Sequence, residues 1–386
     1  MIHAILAAIF SATGAQAAEL NTSILTFGWS DLRECPARIE KARELGNTRL
    51  SFLTTIYYKD GPSTHLPASF CFQRQWPGCE DVTPELISQF RQLLTACFKK
   101  AADLGLEVTV LPHLDPFESS TWRNTVAFDP LHRYGGSSYD EAFIQPQLQA
   151  LLEALPPESH PALNLAGEMG SSVFTYPASY RQMLEGARQV FEGRNLDLGI
   201  SVNHSSAGGA LNTHYTPKQL DETQFLLDEI DFLGISAYTA QRSKDLGARS
   251  FERNIDSVMG ELAHWGLSLP ASKPLHFSEL GLGGGVPNGS IAPDAEAAAN
   301  APYAGVAGPY EADERNPWRR PALADLRRRY YHSLLDYLHD SDEVAQAFIW
   351  NTGSWDLQGL YPGTAACSDP ELVRDIREHN LAESGR

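Results

Sequence analysis

The sequence predicts an α/β protein folded as one closed (β/α)8 barrel with long strand-to-helix loops. Three observations carry that expectation. Eight short apolar runs alternate with helical stretches, and such alternation implies a parallel sheet. The runs are near-continuously apolar, as strands covered on both faces require. The competing doubly wound open sheet needs a G-x-G-x-x-G turn after its first strand, and none is present.

The elements follow in order. Ile24 to Phe27 reads as the first strand, ending at Gly28-Trp29. Cys35 to Leu45 has helical spacing and stops at Gly46. Thr48 to Tyr57 is the second strand, with Arg49 inside it. Asp60 to Asp81, rich in Pro, Gly and aromatics, reads as a loop. Thr83 is a good N-cap and Pro84 a first-turn proline for a helix reaching Leu104. Leu106 to Leu111 is the third strand, followed by Pro112-His113-Leu114-Asp115. Tyr139 to Leu155 is helical, and Ala162 to Ala166 is the fourth strand. The helix Pro177 to Phe191 leads to the fifth strand, Leu198 to Val202, which ends at Asn203-His204. The helix Pro217 to Glu229 leads to the sixth, Asp231 to Ala237, ending at Tyr238. Phe251 to Trp265 is helical, and Leu275 to Phe277 is the seventh strand, behind Pro270 and Pro274. Pro321 to Leu338 is helical, and Val344 to Ile349 is the eighth strand, ending at Trp350-Asn351. The loop 282–318, after the seventh strand, is long enough to suggest a lid or binding loop, with Gly283 to Gly285 as its hinge.

Composition narrows the function. The 386 residues, 42% of them hydrophobic, suffice for one large core, expected over 19–386. A net charge of −18 argues against nucleic acid or an anionic membrane as partner, since both select basic patches. Residues 1–18 read as a signal peptide, with an apolar run from Ile2 to Phe10 and Ala15-Gln16-Ala17 as a small-x-small cleavage site. Export to a secreted or periplasmic location follows. No other run approaches the ~18 apolar residues of a membrane span. Of five cysteines, Cys71 and Cys79 share a loop and are the expected pair, with Cys35 and Cys97 as a second and Cys367 left over. No Cys/His cluster suggests zinc, and neither metal nor cofactor is expected. The protein is expected to act as a monomer.

Active sites of such barrels lie at the C-terminal ends of the strands. The polar residues expected there include His113, Asp115, Glu168, Asn203, His204, Tyr238, Glu279, Trp350 and Asn351, with Arg49 within the second strand. Many of these side chains hydrogen-bond sugar hydroxyls or stack on pyranose faces. Glu168 in A-G-E-M-G and Glu279 in F-S-E-L-G leave the fourth and seventh strands in similar settings. Hydrolysing a glycosidic bond takes two carboxyl groups, one to protonate the leaving oxygen and one to attack the sugar or activate water. A lone glutamate there reads equally well as a loop charge or a structural ion pair; the matched pair points to catalysis. Trp350 and Tyr238 could instead be core, Arg49 and His113 structural, and Asn203 a turn cap. Arg327-Arg328-Arg329 reads as a solvated helix face. Trp76, Trp122, Tyr303, Tyr310 and Trp318 lie in loops that could rim a cleft.

On these residues the chain resembles the clan-A retaining glycoside hydrolases, the 4/7 barrels, and is similar to the β-mannanases of family 113 in carrying a residue other than asparagine before Glu168. The resemblance covers nearly the whole mature chain as architecture, though its motifs are short. It implies Glu168 as acid/base, Glu279 as nucleophile, Tyr238 as hydrogen-bond partner of the nucleophile and Trp350 as floor of the cleavage subsite. It also implies Arg49 steadying the nucleophile and His113 binding substrate; Asn203 is added from its strand end. The pattern departs at Gly167, where most of the clan has an asparagine that binds the sugar 2-hydroxyl. The expected activity is retaining hydrolysis of a β-linked poly- or oligosaccharide.

Two other classes compete. A carbohydrate-binding protein on a degenerate barrel would bind without cleaving, and Gly167 makes that plausible. A barrel metallohydrolase could draw on His113, Asp115, His204 and His276, but the usual first-strand H-x-H is missing.

Overall fold

Eight parallel strands close on themselves. They are β1 (Leu20–Thr26), β2 (Arg49–Gly61), β3 (Glu107–Pro116), β4 (Ala162–Gly167), β5 (Asp197–Asn203), β6 (Phe232–Ser236), β7 (Leu275–Leu280) and β8 (Val344–Thr352). Each pairs in parallel with the next, and β8 pairs back to β1, which closes the barrel. The computed structural model describes residues 17–61, 64–75, 78–209, 214–306, 313–352, 357 and 367–384. The leader expected over 1–18 lies outside the described residues except for Ala17 and Ala18, as do Trp76 and Tyr310. Among the described residues no helix is long and apolar enough to cross a membrane.

Helices follow the strands: α1 (Trp29–Ala42), α2 (Pro84–Asp103), α3 (Gln145–Ala154), α4 (Pro177–Val190), α5 (Pro217–Glu229), α6 (Ala248–His264), α7 (Pro321–Asp340) and α8 (Pro370–Glu383). Local chemistry sets several starts. Thr83 Oγ1 accepts from the Leu86 amide ahead of α2, and Thr216 with Gln219 forms a capping box on α5. The helix α8 was not among the expected elements. Its buried Asn380 accepts from the Leu20 amide at 2.8 Å and donates to the carbonyls of Leu20 and Leu45, which seals the start of β1.

Three local expectations need comment. Residues 60–81 are largely strand: β2 runs on to Gly61 and pairs antiparallel with Thr64–Gln75, which pairs with Gly78–Asp81. The disulfide Cys71–Cys79 ties that ribbon, while Cys35–Cys97 joins α1 to α2 and Cys367 is buried in neither. At the expected hinge, Gly283 to Gly285, the backbone packs against the other leg of the loop. A Cβ at Gly283 would lie 2.2 Å from the Ala304 carbonyl oxygen, and one at Gly285 2.3 Å from that of Gly305. The glycines let the two legs of the 282–318 loop pack backbone against backbone, as in the Gly283 and Gly285 amide bonds to Pro302 and Ala304. Finally, Arg327 is not solvated: it is buried, bonded to the Cys367 carbonyl and 4.5 Å from the Trp318 ring centroid.

Inside the barrel, Leu25, Leu53 and Leu111 form a small apolar plug against which Trp350 packs. Each such buried leucine contributes about 1.5–3 kcal/mol relative to exposure. The plug is the floor on which the site is built.

Candidate active site

Two strand ends carry the carboxyl groups, and each reaches its place by a local irregularity. At β7 the ladders to both neighbours slip around Ser278, so the strand bulges and turns Glu279 toward the barrel axis. At β4 the strand stops at Gly167, and Glu168 adopts φ +53°, the one positive φ at a non-glycine among the described residues. Such a backbone costs of order 1–3 kcal/mol and persists where surrounding contacts over-determine it. Here its amide donates to the Ser201 carbonyl and its side chain is held on both oxygens.

Those two oxygens have donors only. Asn203 Nδ2 donates to Oε1 at 2.5 Å, and Arg123 Nη2 to Oε2 at 3.1 Å. Arg123 is anchored on its other side by Asp115, through Nη1 at 2.5 Å. Burial pushes the Glu168 carboxyl up, but Arg123 and Asn203 outweigh it and hold the group below the usual carboxylate range. Glu279 has different company. His113 Nε2 lies 2.7 Å from its Oε1, and the Tyr238 hydroxyl faces it. Burial, then the Glu168 charge, raise Glu279 well above an ordinary glutamate, with Arg123 opposing. Burial, followed by the nearby Arg123 charge, lowers His113 to about 3, so its ring is neutral. A neutral imidazole can donate to an ionised Glu279 or accept from a protonated one.

Both carboxyl groups line one cleft of about 610 Å³. Trp350 lines it too, its ring 5.7 Å from that of His113 and nearly parallel to it. Thus Glu168, Asn203, Tyr238, Glu279 and Trp350 line one cleft, whereas His113, expected to bind substrate, is buried and contacts Glu279 instead of lining the cleft. Arg49 does not reach it. It opens β2 opposite Glu107, six residues before Thr55, the partner of His113. At about 3.3 Å per strand residue it sits roughly 20 Å below the carboxyl groups. There its guanidinium binds the His160 carbonyl and Thr109 Oγ1 near the closed end of the barrel. A side chain at a strand's first residue cannot reach groups at the strands' last ones.

The cation in the cleft is Arg123, eight residues beyond Asp115 in the loop after β3. Nothing in T-W-R-N marks it in sequence, because its partners are Asp115, Glu168 and the walls they build. The set His113, Asp115, His204 and His276 is not assembled: His276 lies lower in the barrel, stacked on Phe232 at 4.2 Å. Among the described residues no group of three His, Cys, Asp or Glu is placed to hold a metal ion.

The cleft also explains Gly167. A Cβ there would lie 2.3 Å from the Pro112 carbonyl oxygen and 3.3 Å from His113 Cδ2. Strand β3 runs too close to β4 for any side chain at that position.

No protein-family model and no curated protein matches the chain in sequence. Solved structures do match in fold. One described as a complex of a GH113 β-1,4-mannanase superposes with a TM-score of 0.56 at 15% identity, over 95% of this chain and 99% of that one. The GH113 β-mannanase of Alicyclobacillus acidocaldarius gives 0.56 at 14% identity, over the same shares. The chain therefore shares the (β/α)8 fold of these glycoside hydrolases along nearly their whole length.

Proposed function

We propose that this chain is a retaining glycoside hydrolase acting on β-linked poly- or oligosaccharide, with β-1,4-mannan the first substrate to try. The observation that carries the reading is the meeting of Glu168 and Glu279, from the ends of β4 and β7, in one cleft floored by Trp350. The fold likeness to β-1,4-mannanases supports it. In the reaction, ionised Glu279 attacks the anomeric carbon while Glu168 gives its proton to the departing oxygen. Glu168 then takes a proton from water, which attacks the glycosyl-enzyme and frees Glu279. The sugar rests on Trp350, and His113 and Tyr238 orient Glu279. The two disulfides and the apolar start of the chain support a secreted or periplasmic location.

A second reading has its own support. Arg123 and Asn203 favour an ionised Glu168, while burial and the Glu168 charge favour a protonated Glu279. That distribution suits the reverse roles, with Glu168 as nucleophile and Glu279 as acid. On the first reading, substrate must shift the proton to Glu168.

One experiment separates these. The purified protein is screened on β-linked polysaccharides, with product sizes read out, and then treated with a 2-deoxy-2-fluoro glycoside of the sugar released. A covalent adduct mapped to the Glu279 peptide is expected. An adduct on Glu168 establishes the reverse roles, and binding without products on every polymer leaves a sugar-binding protein.

A further inference from the structure

The cleft holds a second tryptophan whose exposed ring the chemistry above does not use. Trp122 lines the cleft and is 40% exposed. Among the described residues no aromatic ring or guanidinium stacks on it. Yet its backbone is fixed. The next residue but one, Asn124, is fully buried, donating to the Ser206 carbonyl and accepting from the Gly170 amide, both at 2.7 Å. Arg123 between them is clamped to Asp115 and Glu168. A large apolar ring held rigidly at a cleft wall and left uncovered marks a binding surface, since tryptophan buries ~150–250 Å² when it packs.

We propose that Trp122 is the stacking platform for the leaving-group sugar, so that the substrate is a chain extending past the cleaved bond on the Glu168 side. The placement rests on the reading of Glu168 as acid/base. A group that protonates the departing oxygen stands on the leaving-group side of the bond. Arg123, which touches Glu168, adjoins Trp122, so the same short segment borders that side. Trp350 stacks on His113, the partner of Glu279, and therefore serves the sugar that is attacked. The two tryptophans divide the substrate at the scissile bond. Tyr303, 52% exposed on the loop after β7, lines the same cleft and would lengthen the track.

The test compares β-1,4-mannohexaose with β-mannobiosyl fluoride, whose leaving group is too small to touch Trp122. In Trp122→Ala the ratio of kcat/KM on the hexaose to that on the fluoride is expected to fall about thirtyfold, the scale of truncating a tryptophan anchor. Trp122→Phe should restore most of it. Equal falls on both substrates, or an unchanged ratio, overturn the assignment. Should the wild type hydrolyse neither compound nor any polymer of the screen, it is the hydrolase reading that has failed. Calorimetry with mannohexaose then judges the platform alone, and equal affinity of wild type and Trp122→Ala overturns it.

Discussion

The two carboxyl groups share one cleft but live in opposite surroundings. Glu168 is met by charge: a guanidinium on one oxygen, an amide on the other. Glu279 is met by neutral groups, an uncharged imidazole and a phenol. Both are almost fully buried, so burial alone would raise both. The difference teaches that partners, and not burial alone, set the two carboxyl groups apart.

The largest effect should come from removing either carboxyl group. Glu279→Ala is expected to lower kcat by about 10⁴-fold or more with the fold intact by circular dichroism. Near-normal turnover would end its role. Glu168→Ala should cost heavily on polysaccharide and far less on a glycosyl fluoride, which needs no acid. If the fluoride suffers equally, Glu168 is the nucleophile and the comparison inverts.

The next test acts on the difference itself. Arg123 depresses Glu168 below Glu279, and in a bell-shaped kcat/KM profile the lower-titrating group sets the acidic limb. Arg123→Met should move that limb up by about 1–2 pH units. Asp115→Asn, which frees Arg123 for Glu168, should move it down. Stationary limbs with a reduced rate would make Arg123 merely structural. Its loss also removes the cation between half-buried Asp115 and buried Glu168, so the double variant Arg123→Met/Asp115→Asn serves as the folding control.

Gly167 joins the two neighbourhoods mechanically, since its space is bounded by Pro112 and His113. Gly167→Ala should destabilise the protein by about 1–3 kcal/mol, read as a lower denaturation midpoint. It should also lower kcat by moving His113 off Glu279. An unshifted midpoint would show that β3 yields easily. The smallest effect belongs to Arg49→Met, where kcat/KM and its pH limbs should stay within about twofold of the wild type because the residue lies roughly 20 Å from the site. A displaced limb would bring it back into the comparison.

Most of the barrel was legible in sequence. Apolar runs, N-caps such as Thr83 and the turn prolines place strands and helices to within a few residues, because they act through neighbours along the chain. The ribbon at 60–81 was not, since its Pro, Gly and aromatics fit a loop as well as two short antiparallel strands. Five of the seven proposed site residues line the cleft, and His113 backs Glu279, because strand ends all face one way in a parallel barrel. Arg49 failed for the same reason, read from the wrong end of its strand.

What the sequence determined by itself is the alternation that closes the barrel and the two glutamates at matching exits. Tertiary structure alone decided that Arg123 joins the cleft, that no side chain fits at Gly167, and that Glu168 is held below the ordinary carboxylate range while Glu279 is pushed above it. Charge and steric contact depend on distance in space, and the groups that settle these points are brought together only when the strands close.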